Sequence, residues 1–539
     1  MKTTHTVRIF GLTALAVSMA ACSTIPKKID TSKPVLAVPN VDLDQAYEVL
    51  DKETLSSGEA PSVASMRWQE YYTDPKLKSL IQLALDNNKN LEKAVLAVQS
   101  ARAQYQITEA GSLPTVGASG GVSRSANHRT DANPSTGYNV NLAMSSYELD
   151  LWGKVASQKE QALHNYLATN AAKDAVQISL ISSVAQGYAN LAYAVAQRKL
   201  AAATMQTRER SLMINQKRFE AGVDSRSPSL QAESSLEQAR LAVYQADTNI
   251  LQARNALQLL LGAPIPDALL PDILGNNKTD VDPITAQTLF STGLPSELLY
   301  YRPDIVQAEH ALKAAGANIN VARAAYFPSI SLATNVGFSS SSLDNLLKSS
   351  AMGWSFGPSV SLPIFDAGAR RANYEMAQIA QQSALASYEQ SIQSAFKEVA
   401  DVLATRATLG SQLESQYRLQ RNYQQTYDIA FARFRSGLDN YLTVLDAERS
   451  LFSIQQSILQ LELQSMLSQI QLYQVLGGGA DLSAEQITAK NAQRDAMRTA
   501  ELANQAQIST VQPQAVSTDA TQIAQPAPSS IPVVEPVAK

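Results

Sequence analysis

RFRSGLDNYLTVLDAERSLF, residues 433–452, reads as the end of one helix, a tight turn and the start of another. Gly437 is placed to take the left-handed conformation that closes a helix, and Asp439 is placed to cap the next by accepting from its orphan amides. The same pattern occurs earlier as RFEAGVDSRSPSLQAESSL, residues 218–236. Gly222 and Gly437 are 215 residues apart, as are Phe219 and Phe434, Asp224 and Asp439, and Gly262 and Gly477. A constant offset over several positions marks a duplication.

Upstream the offset is 214, aligning Asn90-Leu91 with Asp304-Ile305 and Leu113-Pro114 with Phe327-Pro328. Solenoid units repeat every 20 to 50 residues or so, so a period this long indicates two similar halves of one architecture. The expected layout is a first repeat over 66–270, a linker over 271–294 and a second repeat over 295–479.

Within each half one stretch is long and free of proline. Residues 157–221 and 372–436 are rich in Ala, Gln, Glu, Leu and Arg, and as helices each would run about 98 Å at 1.5 Å per residue. Shorter helices follow, completing helical hairpins over about 157–262 and 372–477. Leu236, Ala239, Val243, Ala246, Ile250, Ala253, Leu257 and Leu260 alternate spacings of three and four, and Leu451, Ile454, Ile458, Leu461, Ser465, Ser468, Leu472 and Val475 keep the same phase. That is a coiled-coil seam with small residues permitting close approach. Further short helices, over 76–111 and 304–326, are expected to stack end to end with these along each long helix.

A period of two replaces the helical one over about 114–151 and 328–366. Ile330, Leu332, Val336 and Phe338, then Trp354, Phe356, Val360, Leu362 and Ile364, alternate with small or polar residues; Val116, Val122, Tyr138, Val140, Leu142 and Met144 repeat this more weakly, with a phase slip after Ser145 that indicates a bulge. Ten-residue strands of this kind suit either a soluble sandwich or a transmembrane barrel. Four strands cannot close in lipid, where an open edge is not tolerated, so a membrane barrel built from them must be shared between chains.

The ends favour the membrane. Lys2 and Arg8 precede an apolar run ending Met19-Ala20-Ala21, which reads as a secretory signal over 1–21. Cys22, the only cysteine, follows it in the manner of a lipoprotein signal, and Ser23 rather than Asp after it resembles the pattern for passage to the outer membrane. Residues 22–65 read as a lipidated extended arm; 480–539 read as a C-terminal segment ending in a disordered tail, too poor in large apolar residues to offset its chain entropy. Over 539 residues the chain is 45% hydrophobic and 17% charged with net charge −4, which gives no basic face for nucleic acid.

Gly293-Leu-Pro-Ser-Glu-Leu-Leu-Tyr-Tyr-Arg-Pro-Asp-Ile-Val-Gln-Ala-Glu309 and Ala322-Arg-Ala-Ala-Tyr-Phe-Pro328 resemble the outer-membrane factors of the TolC family, within it the lipoprotein branch of OprM and NodT. Trp68, Asp74-Pro75, the two Gly turns and Leu476-Gly-Gly-Gly479 are similar to that branch as well; Tyr301, before Arg302-Pro303, and Pro228, in the first turn, depart from it. The resemblance implies a homotrimer with a twelve-stranded outer-membrane β-barrel continued by a long periplasmic α-helical coiled-coil barrel. It also implies docking to a periplasmic adaptor and an inner-membrane pump of the RND type. It places the turns of the helical hairpins, marked by Gly222, Asp224, Gly437 and Asp439, at the periplasmic tip, and it matches Leu442 and Asp446 to the family's constriction.

Leu442 and Asp446 are four apart, hence on one helix face, and threefold symmetry makes a ring of each. Arg433 and Arg435 are then candidates to pair with carboxylates of neighbouring helices and hold the tip shut. A dipole role for Asp446 early in its helix is the alternative. No catalytic chemistry is legible: His5, His128, His164 and His310 share no metal-ligand spacing, no phosphate loop or nucleophile elbow occurs, and Glu448 and Asp446 read as helix-surface charges. No enzyme, cofactor or metal is expected, so energy for transport must come from a partner. A passive duct for small molecules, a duct for secreted proteins and a non-conducting scaffold remain as readings, of which the last leaves the strands unexplained.

Overall fold

The computed structural model describes residues 28, 66–126, 134–271 and 302–479. The signal, most of the arm, the linker and the tail expected from the sequence lie outside these residues. The elements run α1 Trp68–Tyr71, α2 Pro75–Asn87, α3 Lys89–Ala110, β1 Val116–Ser125, β2 Ser135–Glu148, α4 Lys154–Glu220 and α5 Arg226–Leu261. The second half supplies α6 Pro303–Ala324, β3 Ser329–Ser340, β4 Met352–Ser361, α7 Ala369–Arg435 and α8 Tyr441–Val475.

α4 and α7 each have 67 residues, about 100 Å of helix. Both begin after a left-handed glycine, Gly153 and Gly368, at the same 215-residue offset. The tips also turn on left-handed glycines, Gly222 at φ 73° and Gly437 at φ 74°, where any side chain would be strained. The heptad seams are the buried stripes of α5 and α8: Leu236, Ala239, Val243, Ala246, Ile250 and Leu257 are buried in one, and Leu451, Ile454, Ile458, Ser468 and Leu472 in the other.

One expected helix is divided. Residues 76–111 form α2 and α3 with a break at Asn88, whose side chain accepts from the Asn90 and Leu91 amides at 2.9 and 3.0 Å and donates to the Leu260 carbonyl at 2.7 Å. The new N-cap and the tie to α5 together replace the helical hydrogen bonds lost at the break. Gly262 closes α5 against this corner at φ 66°; a Cβ there would sit 2.5 Å from the Asn87 carbonyl oxygen.

The largest core lies where these short helices meet the middle of the long ones. Tyr71 stacks on Tyr473 at 4.1 Å, its hydroxyl donates to the Gln469 carbonyl at 2.7 Å, and the Tyr473 hydroxyl donates to the Met66 carbonyl at 2.8 Å. Arg302 fastens the start of α6 to α7 and α8, bridging Asp304 and Glu398 at 2.7 Å each and donating to the Val475 carbonyl at 2.9 Å.

The strands form one antiparallel sheet in the order β1-β2-β3-β4. Its central ladder, β2 on β3, joins the two repeats and shifts register between Met144 and Tyr147, where the alternation slips in the sequence. Leu142, Val336 and Trp354 lie in one row across it, and Val140, Phe338 and Met352 in the next, on the same face. That face is apolar yet open, with Trp354 79% exposed. No described helix is long and apolar enough to cross a membrane.

Candidate gate at the helical tip

The tip is a small core of its own. Phe434, Tyr441, Val444, Leu445 and Ala447 of the second hairpin bury themselves with Ala232 of α5 from the first hairpin, and Leu212 and Ile214 of α4 flank them. Burial of this face of α8 orients the opposite one. Leu442, 46% exposed, and Asp446 point away from the chain's own core, one helical turn apart, with Arg449 4.0 Å from Asp446. Asp446 is the sixth residue of α8 and no acid occupies the first turn, so the dipole role weighed for it has little purchase.

The turn residues are arranged differently from expectation. Asp439 does not cap α8: the cap is Asn440, which accepts from the Thr443 amide at 3.2 Å. Asp439 lies one residue too early and is held instead by Arg433, with hydrogen bonds of 2.7 and 3.0 Å. Within the chain Arg433 clasps its own turn, because the αL glycine folds Asp439 back over the last turn of α7. Asp224 likewise is no cap; Arg218 holds it at 2.5 Å, while Ser225 stands at the cap position without a side-chain bond. Arg435 is exposed and makes no ion pair among the described residues. The Arg433 guanidinium keeps the Asp439 carboxyl below the usual carboxylate range. Pro228 is the third residue of α5, within the first turn, where its missing amide costs no helical bond.

Glu448 is the larger correction. It is only 5% exposed, and Arg208 of α4, equally buried, donates to it at 2.8 Å and to the Ser235 carbonyl at 2.8 Å. It faces inward because it is two residues past Asp446, on the opposite side of α8. Burial pushes its carboxyl above the ordinary range, with Arg208 opposing that shift. Burial, and next Glu448, push the neighbouring Tyr441 hydroxyl up to about 12. This pair ties the first hairpin to the second just behind the exposed Leu442 and Asp446, and no spacing in the sequence signals it.

No three potential metal ligands are preassembled among the described residues. The arrangement at the tip holds helices and turns in place. At the other end of α4 from the tip, Trp152 donates to the Pro328 carbonyl at 2.7 Å and stacks on Phe327 at 4.6 Å, an aromatic anchor at the foot of the sheet.

An open four-stranded sheet with an exposed apolar face, carried on paired helices some 100 Å long, defines a wall segment of a membrane channel with a periplasmic helical extension. The sequence pattern of the family described as outer membrane efflux protein matches residues 80–263 and 294–478, one match per repeat, and the chain belongs to that family. It is 38% identical over 465 residues to the cation efflux system protein CusC of Escherichia coli O157:H7, covering 86% of this chain and 97% of that one. It is 39% identical over 485 residues to the toluene efflux pump outer membrane protein TtgF of Pseudomonas putida, covering 89% and 98%. The open-state structure of the Neisseria gonorrhoeae MtrE outer membrane channel superposes with a TM-score of 0.74 at 36% identity, covering 85% of this chain and 98% of that one. The chain is thus a TolC-type channel component of an efflux system, located in the outer membrane.

Proposed function

We propose that three copies assemble into a passive exit duct for small solutes, gated at its periplasmic tip by Leu442 and Asp446. The observation that carries this is the unfinished repeat symmetry. Within one chain, β2 pairs with β3 and α4 packs along α6, each joining the first repeat to the second. The repeat equivalent of these seams would join β4 to β1 and α7 to α3, and it is not made within the chain: β1 and β4 are the sheet edges. Leu96 on α3 and Ile379 on α7 are 53% and 58% exposed. A neighbouring copy completes the missing seam, and three copies of four strands give a closed barrel of twelve.

Phe434 and Phe219 tell the same story at the tip. Phe434 is buried beneath the Arg218 guanidinium, 4.9 Å from its ring centre, whereas its equivalent Phe219 is exposed and awaits Arg433 of the next copy.

The names of the relatives, cation efflux and toluene efflux, support a cargo of small solutes. A periplasmic adaptor and an inner-membrane RND-type pump would supply the energy, and Cys22, as an acylated N-terminus, a lipid anchor. Arg433 and Arg435 line the tip beside the rings of Leu442 and Asp446. Replacing Leu442 and Asp446 together by Ala should raise single-channel conductance in planar bilayers. Unchanged conductance from a folded, inserted trimer would remove these residues from the gate.

A further inference from the structure

α4 packs along α8 within the chain, and side-chain hydrogen bonds cross between them like rungs. Ser182 donates to Gln474 at 2.6 Å, Tyr193 donates to Gln460 at 2.7 Å and, nearer the tip, Arg208 donates to Glu448 at 2.8 Å. The repeat equivalent of this seam is α7 against α5, and these two helices do not pack along one another within the chain. The 215-residue offset holds through all four helices, since α4 and α7 start at Lys154 and Ala369, and α5 and α8 at Arg226 and Tyr441.

Shifting each rung by that offset gives the side chains that a neighbouring copy would bring together. Ser182 and Gln474 become Lys397 and Leu259; Leu259 has no polar group, and Lys397 is paired with Asp401 on its own helix. Tyr193 and Gln460 become Thr408 and Gln245, but the Thr408 hydroxyl already donates to the Thr405 carbonyl. Arg208 and Glu448 become Tyr423 on α7 and Glu233 on α5. These are a donor and an acceptor, both exposed, and neither has a hydrogen bond or ion pair among the described residues. A tyrosine side chain is about as long as an arginine, so its hydroxyl arrives where the guanidinium does in the chain's own seam.

The face of α5 that carries Glu233 is open and apolar. Tyr244 and Leu251 stand on it, about three and five helical turns further along, and both are exposed. Their equivalents on α8, Leu459 and Met466, are buried, Leu459 against Ala196 and Leu200 of α4. A second copy's α7 is therefore the occupant that this face fits.

We propose that at each seam between copies the Tyr423 hydroxyl of one chain donates to the Glu233 carboxylate of the next, giving three such bonds in a trimer. The proposal rests on the reading that three copies share the wall. The phenol keeps its proton up to about pH 10 and a glutamate is ionised above about pH 4.3, so donor and acceptor stay matched through the neutral range. The bond is charge-assisted, yet it sets a neutral donor where the chain's own seam has a cation. It is also directional: the tyrosine belongs to the second repeat and the carboxylate to the first, as a head-to-tail ring requires.

The test uses the full-length protein extracted from outer membranes, heated in steps and read as the fraction migrating as trimer on a denaturing gel. Tyr423→Phe and Glu233→Gln should each lower the dissociation midpoint by a few degrees, and the double variant should fall no further than either alone. Tyr423→Arg, which gives this seam the guanidinium of the other, should raise the midpoint, and adding Glu233→Gln should abolish the gain. A wild-type trimer whose midpoint ignores both single substitutions, or losses that simply add in the double variant, overturns the bond and leaves the shared wall standing. A wild type that shows no trimer even after chemical crosslinking overturns the bond and the shared wall together.

Discussion

Arg433 reaches forward six residues to clasp Asp439 across the Gly437 turn, and Arg218 does the same to Asp224 across Gly222. The clasp restrains the angle between α7 and α8. Arg433→Ala should therefore leave the assembled channel folded while raising conductance and passage of large antibiotics. Exchanging the charges, Arg433→Asp with Asp439→Arg, should restore the closed level in planar-bilayer recordings, since the bond lies within one turn; failure of that rescue with a folded protein would return Arg433 to an inter-helix role.

The clasp also sets a pH window. The Asp439 carboxyl is lowered by Arg433, so its contribution is present above the ordinary carboxylate range and disappears as pH falls through the lowered value. Conductance should stay constant from neutral pH through the ordinary carboxylate range and rise only in stronger acid. An increase already near pH 6, where this carboxylate is ionised, would exclude Asp439 as the titrating group.

Arg208 and Glu448 form the buried tie between the hairpins, so removing the cation alone strands a carboxylate. Arg208→Met should destabilise by about 3 kcal/mol at neutral pH, and Arg208→Met with Glu448→Leu should recover most of it. Because burial raises the Glu448 carboxyl, the folded state binds that proton more tightly than the unfolded chain does. The group's contribution is therefore greatest in acid and falls as pH rises through the raised value. The single variant's deficit should shrink on acidification, measured by thermal unfolding at several pH values. A deficit independent of pH would mean that lost packing, not the stranded charge, causes it.

Much of the architecture was legible because it rests on local grammar and repetition. Gly222 and Gly437 mark the turns by conformation alone, the three-four spacing from Leu236 and from Leu451 marks buried stripes, and the slip after Ser145 falls at the register shift by Tyr147. What was not legible depends on competition and on distant partners. Asn440 caps α8 in place of Asp439 because Arg433 has already taken the aspartate, a choice foreshadowed by the same Arg and Asp spacing in both repeats. The break at Asn88 is stabilised by the Leu260 carbonyl, 172 residues away, and the burial of Glu448 by Arg208, 240 residues away. His164 and His310, 146 residues apart, show no spacing motif because two different helices bring them together.

The central claim is that one chain is a third of the wall, and that the α4 to α6 seam within it recurs between copies as α7 to α3. With Leu96→Cys and Ile379→Cys in the full-length protein, a short thiol-specific crosslinker should produce covalent dimers and trimers from outer membranes, resolved on a denaturing gel. The matched pair His164→Cys and His310→Cys should link within one chain and leave its size unchanged. Folded, inserted protein in which the Leu96 and Ile379 cysteines link only within the chain, or not at all, would contradict the shared barrel.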